Sequence, residues 1–198
     1  MQALLDQLYK TTWLEVVGMI TGLLFPIFSA YEKKICWLFG GISSVIYVYI
    51  CFEGKLYQDA ILNFYYVIMA VVGYFIWQGI IQSKKKQLKI SYMSLKANLL
   101  FILLGAAYTV LGGYFFHERT DASYPYVDAF VTGFSFIGTY LEAQKKIENW
   151  YIFLVADGVG IWLFYEKGLL LTSFLFIIFC VICIYGIVAW HRKIKLSE

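Results

Sequence analysis

Charge is scarce in this chain of 198 residues: Asp, Glu, Lys and Arg together make up 15% of it. Histidine occurs twice, as His117 and His191, and proline twice, as Pro26 and Pro125. Neither histidine lies inside an apolar segment, so a histidine-ligated haem within a membrane has no ligand. No nucleotide-binding loop and no cluster of acid, base and nucleophile is present, which argues against an enzyme. We therefore expect no catalytic residue, no metal and no cofactor. Cys36, Cys51, Cys180 and Cys183 all fall in apolar segments. The C-x-x-C formed by Cys180 and Cys183 has no second ligand pair nearby, so these thiols are expected to act as small hydrophobes. The first dozen residues, M-Q-A-L-L-D-Q-L-Y-K-T-T, lack a basic n-region and a small-residue cleavage site. They read as an amphipathic lead-in rather than a removed signal peptide.

Apolar residues, by contrast, make up 61% of the chain and aromatics 20%, where soluble domains have roughly 45–50% apolar residues. Seven segments are long and apolar enough to cross a bilayer, about 13–31, 35–52, 57–81, 97–116, 127–143, 149–165 and 169–190. The expected fold is an all-α membrane protein of seven transmembrane helices in a single domain. Of the 16 Lys and Arg residues, all but Lys10, Lys55, Arg119 and Lys167 fall on one side of this topology. The positive-inside rule places that side in the cytoplasm, with the N-terminus outside and the C-terminus inside. The loop S-K-K-K-Q-L-K at 83–89 suits anionic lipid headgroups rather than nucleic acid.

One stretch stands out, W-Y-I-F-L-V-A-D-G-V-G-I-W-L-F-Y from Trp150 to Tyr165. Its single acid, Asp157, falls near the midplane, where a charge costs at least ~2.5–3.5 kcal/mol. In the third segment Asn63, Tyr66, Ala70, Gly73 and Trp77 recur at helical steps and share one face, which must turn into the bundle. Gly18 and Gly22 form a small-residue stripe, and Ser43 and Ser44 can bond across helices. Pro26 is read as a packing kink rather than a hinge. Thr132 and Ser135 lie one helical step apart in the fifth segment.

Sliding the chain against itself by 113 residues superposes Trp37 on Trp150, Glu53 on Glu166, Leu56 on Leu169, Gly73 on Gly186 and Trp77 on Trp190. A Lys pair precedes both copies. Three helices per copy would leave directly joined copies inverted, and an inserted fourth helix makes them parallel. The repeats are then about 13–81 and 127–190, with a linker helix at about 97–116. Parallel repeats relate by an axis along the membrane normal and enclose substrate between them near the midplane. In this register Asp157 stands opposite Ser44.

The segments L-Y-Q-D-A-I-L-N-F-Y-Y with G-Y-F-I-W, D-A-F-V-T-G-F-S-F-I-G-T-Y-L-E-A-Q-K-K-I-E-N-W, V-A-D and L-F-Y-E-K-G-L-L-L-T-S resemble the PnuC family of bacterial vitamin transporters. The resemblance covers nearly the whole chain and is most specific from Asp128 to Thr172. It implies a SWEET-like arrangement of three helices, a linker and three helices, assembled as a homotrimer in the bacterial inner membrane. It also implies facilitated diffusion of nicotinamide riboside, trapped afterwards by a cytosolic vitamin kinase. Carried over by position, the substrate-lining residues are Asn63, Tyr66, Trp77, Ser135, Trp150 and Asp157. Phe153 stands where the family often has a second Trp, and Asp157 and Asn63 stand where many riboside carriers have Asn and Gln. These forms are similar to the thiamine-type branch, so thiamine is the alternative substrate.

Both vitamins carry a fixed positive charge on an aromatic ring. Trp, Tyr and Phe faces attract such a cation by roughly 2 kcal/mol or more when desolvated. A buried carboxylate adds attraction at a desolvation cost. Asp157 would then be the counter-charge, with Asn63 and the hydroxyls reading amide or ribose groups. Two other readings stay open: a symporter that uses Asp157 as a proton site, and a receptor or scaffold whose aromatics only pack.

Overall fold

The computed structural model describes residues 12–54, 56–81 and 88–197. The expected N-terminal lead-in, Lys10, Lys55 and the lysines Lys84 to Lys86 lie outside the described residues. Among the described residues seven helices follow one another: α1 (Trp13–Ala30), α2 (Cys36–Glu53), α3 (Tyr57–Trp77), α4 (Leu95–Arg119), α5 (Pro125–Ala143), α6 (Glu148–Glu166) and α7 (Leu170–Ser197). Among the described residues extended pairing is limited to one bridge, Ser91 to Lys146.

Local chemistry starts and stops these helices. Thr12 and Glu15 form a capping box at α1, and Ser94 accepts from the Ala97 N–H at the start of α4. Pro125 occupies the first turn of α5, where its missing N–H costs nothing. The third helix ends at Trp77 rather than running to residue 81, because Gly79 turns the chain in the left-handed region at φ 77°. The last helix runs past the expected end near residue 190, to Ser197. Pro26 sits inside α1.

Five helices, α1, α2, α3, α4 and α7, are long and apolar enough to cross a membrane by length and hydropathy. All seven segments expected from sequence are helical, in the expected order. The other two are less apolar: α5 holds Asp128 and Glu142, and α6 holds Glu148, Asp157 and Glu166. Burial explains how Asp128, Glu142 and Asp157 are accommodated. Twelve residues of α5 are buried, more than in any other helix whose buried positions are given, because α3, α4 and α6 all pack on it. Polar groups on an enclosed helix face protein partners rather than hydrocarbon.

Helices α1, α2 and α3 pack in sequence, as do α5, α6 and α7, and the two sets meet through α3 on α5 and α1 on α7. The small-residue stripe does what its spacing suggests: Gly18 and Gly22 lie against Tyr47 and Ser43, and Ser43 donates to the Gly18 carbonyl at 2.8 Å. The fourth helix packs on α5 through Gly105 under Phe134 and Gly133 against Tyr108. Its approach is held by residues 91–93: Ser91 N–H donates to the Lys145 carbonyl, Lys146 Nζ to Ser91 Oγ, and Met93 N–H to Glu148 Oε1.

Turns 113 residues apart are built alike. After α1, Glu32 adopts φ 55° and its N–H returns to the Ser29 carbonyl; after α5, Lys145 adopts φ 50° and returns to Glu142. Left-handed backbone at a non-glycine residue is uncommon, so its recurrence at matched positions carries weight. Leu56 N–H bonds the Cys51 carbonyl and Leu169 N–H the Phe164 carbonyl, both at 2.8 Å. Trp37 meets Trp77 edge-on with centroids 5.7 Å apart, and Trp150 meets Trp190 edge-on at 5.6 Å, each pair at 89°.

Candidate functional site

Asp157 is buried in the middle of α6, and its Oδ2 accepts from the Cys183 thiol of α7 at 3.8 Å. Across from it, Tyr66 of α3 faces Ser135 and Thr139 of α5, with its hydroxyl close enough to Asp157 to feel its charge. Thr139 also donates to the Ser135 carbonyl at 3.0 Å, so the two hydroxyl residues form one step of α5. Four helices therefore deliver a phenol, two hydroxyls, a thiol and a carboxyl to one region of the bundle interior. The aromatic Tyr65 closes one side, donating to the Phe136 carbonyl at 3.0 Å and stacking edge-on against that ring.

Of the residues expected from sequence, Tyr66, Ser135 and Asp157 come together in this way. Phe153 lies beside them on the next turn of α6, with its ring against Gly138 of α5. Asn63 is half-buried, and its amide donates to the Asp59 carbonyl of its own helix at 2.8 Å. Ser44 is buried on α2, with Asp157 bonded to Cys183 rather than to it.

Trp77 and Trp150 sit elsewhere. The Trp77 indole donates to the Ala143 carbonyl at 3.1 Å and has Lys145 Nζ 4.7 Å from its ring centre. Trp150 is 1% exposed, wedged between Trp190 and the backbone of Gly186. Both indoles thus belong to the packed basic end of the bundle in this conformation. Thr139 and Cys183 were not foreseen. Thr139 was within reach, since it stands four residues after Ser135 on the same face. Cys183 was not, because a cysteine in an apolar helix looks like filler until its neighbour is known.

The ends of the bundle differ electrostatically. At the acidic end Lys167 pairs with Asp128 at 2.6 Å. At the basic end Glu32 bridges Lys145 at 2.7 Å and Lys193 at 2.8 Å. Burial opposes ionisation of Glu32, yet hydrogen bonds and charge from Lys145 and Lys193 outweigh it and hold the carboxyl below its ordinary value. Among the described residues no group of three or more His, Cys, Asp or Glu could hold a metal ion.

The family model described as nicotinamide mononucleotide transporter matches residues 12–192. The chain belongs to this family. PnuC-family membership makes it a multi-pass membrane transporter rather than an enzyme, in keeping with the buried cluster and the apolar exterior. It is 22% identical over 211 residues to the nicotinamide riboside transporter PnuC of Escherichia coli (strain K12), covering 94% of this chain and 88% of that one. The Neisseria mucosa PnuC is 23% identical over 205 residues, covering 98% and 78%. The riboflavin/roseoflavin transporter RibM of Streptomyces davaonensis is 22% identical over 183 residues, covering 91% and 85%. A solved structure titled as the vitamin B3 transporter PnuC superposes with a TM-score of 0.78 at 24% identity, over 100% of this chain and 88% of that one. That likeness establishes the fold.

Proposed function

We propose that this transporter carries nicotinamide riboside by facilitated diffusion, entering at the acidic face and leaving at the basic face. The observation that carries the reading is the interior cluster of Tyr66, Ser135, Thr139 and Asp157. A carboxyl set among aromatic and hydroxyl groups suits a solute with a fixed ring charge and a polyhydroxyl sugar, and the Escherichia coli and Neisseria relatives are named for that solute. Asn63, Trp77, Trp150, Phe153 and Ser44 complete the lining when the bundle opens. The matched turns and Trp pairs support two parallel repeats, about 13–81 and 127–190, joined by α4 and related by an axis along the membrane normal.

The basic end is the cytoplasmic one by the positive-inside rule, so the N-terminus is outside and the C-terminus inside. The protein works in the bacterial inner membrane as a homotrimer. With no energy source in the chain, accumulation depends on a cytosolic kinase that phosphorylates the arriving vitamin. Thiamine is the alternative cation. Riboflavin is a second reading, favoured by the match to RibM across nine-tenths of the chain, although its ring system carries no fixed charge to face Asp157.

Purified protein in sealed proteoliposomes should equilibrate labelled nicotinamide riboside without concentrating it. Accumulation above the outside concentration, with or without a pH gradient, would sink the uniport reading and turn attention to proton symport at Asp157. Thermal-shift titrations against nicotinamide riboside, thiamine and riboflavin decide the substrate, with the riboside expected to raise the melting temperature at the lowest concentration.

A further inference from the structure

Glu142 is 1% exposed near the end of α5, on the far side of the Thr139 turn from the cluster just described. Its Oε1 accepts from the Ser29 hydroxyl of α1, while its Oε2 has no partner among the described residues. Ser29 and Glu142 are 113 residues apart, the offset at which the turns and Trp pairs recur. So are Glu32 and Lys145, whose ion pair lies one turn further toward the basic end. Under two-fold symmetry only residues beside the axis can meet their own counterparts. These two contacts therefore mark where the halves of the bundle touch on the axis, and any opening of the basic face has to part them.

Parting the Glu32–Lys145 pair exposes a carboxylate and an ammonium to water. Parting Ser29 from Glu142 has a different consequence. The groups around Glu142 do not neutralise it: the Cys36 thiol of α2 and the Cys183 thiol of α7 are near enough to feel its charge. Lys145, three residues on, is committed to Glu32 and the Trp77 ring, and Lys193 to Glu32. At the same end α3 presents Trp77, and Glu148 at the start of α6 is engaged with Met93 N–H. An ionised carboxylate with one neutral donor and no cation is costly to bury, whereas a carboxylic acid is not.

We propose that Glu142 is a proton-binding site at the basic-end gate, loaded when the Ser29 contact closes and emptied when it opens. The proton comes from the water on the basic side, joins the Glu142 carboxylate on closure, and returns to the same water on opening. Nothing crosses the membrane with the substrate, so the site is compatible with uniport. It makes release sensitive to pH on the basic side alone. One linked proton shifts the closed-to-open ratio by up to about tenfold per pH unit.

Infrared difference spectra of the full-length protein in lipid, native minus Glu142→Gln, test the site without any substrate. At neutral pH the native protein should show the carbonyl band of a protonated carboxylic acid that moves in heavy water and is missing in E142Q. Ser29→Ala should keep the band but shift its frequency, which guards against misfolding of E142Q. A native spectrum with only carboxylate bands assignable to Glu142 overturns the proposal. Transport supplies the second readout: acidifying the basic-side compartment should slow efflux several-fold in the native protein and not in E142Q. Equal slowing from the acidic side also overturns it. The proposal rests on the transporter reading for its second arm only; absence of flux for every vitamin with the infrared band present would count against the substrate and leave the site standing.

Discussion

The indole of Trp150 fills the space that a side chain on Gly186 would need: a Cβ built there would lie 2.5 Å from Trp150 Cδ2. The earlier pair repeats the arrangement, with a Cβ on Gly73 falling 2.4 Å from Trp37 Cε2. Each glycine lets a tryptophan lie flat on the backbone of the neighbouring helix, and a second tryptophan then closes over its edge. The motif holds two helices of each half together at the basic end and leaves the middle of the bundle to smaller polar groups.

Gly186→Ala and Gly73→Ala should each destabilise the protein by about 1–3 kcal/mol, the usual cost of overpacking against a ring that cannot move away. The check is thermal unfolding in detergent, where both variants should melt below the native protein. Gly158→Ala is the control, since a Cβ there meets nothing within 4 Å. A fall at Gly158 equal to that at Gly186 would show that the method reads helix mutation in general.

Asp157→Asn removes the counter-charge while keeping the shape and leaving an acceptor for the Cys183 thiol. Affinity for a cationic vitamin should fall at least tenfold, equivalent to about 1.4 kcal/mol, with unfolding temperature unchanged or raised. Calorimetric titration of native and D157N protein measures it. Unchanged affinity together with unchanged stability favours the scaffold reading.

Tyr66→Phe deletes the hydroxyl that faces Ser135 and Thr139. The expected loss is about 0.5–1.5 kcal/mol of binding free energy, a few-fold to tenfold in affinity. Ser135→Ala should produce a similar loss. Made together, the two should lose less than the sum, because the groups share one network. Binding isotherms of the single and double variants form the cycle.

The Glu32 carboxyl is held below its ordinary value of 4.5 by Lys145 and Lys193. A depressed acid stabilises the fold above its unfolded value, and that contribution is lost as pH falls through the folded one. Native protein should therefore melt above Glu32→Gln at neutral pH, and the gap should close as pH drops below about 4.5. Melting curves of both proteins from pH 7 downward give the comparison. A gap that widens in acid would mean that Glu32 is not ionised in the pair.

Sequence alone was sufficient for seven helices and for their order, and an offset of 113 residues matches Trp37 with Trp150 and Gly73 with Gly186. Hydropathy and helical spacing report the surroundings of one helix at a time, and those properties need no partner to be read. The same signal singled out Asp157, because an acid in an apolar run is costly wherever the helix packs. Helical spacing turned the face of Asn63 and Tyr66 inward, while Ser135 was singled out through the family resemblance.

Which inward groups meet is a different quantity. It depends on how far each helix is shifted along its neighbour and turned about its own axis. Tertiary packing alone put Cys183 on Asp157, sent the Trp77 indole to the Ala143 carbonyl, and turned Asn63 back onto its own helix. It also made Glu142, which the sequence shows only as one acid in a polar turn, the residue that meets Ser29 at the crossing of the two halves. A pattern along one helix cannot carry that information, since the contact belongs to two helices and to the offset between them.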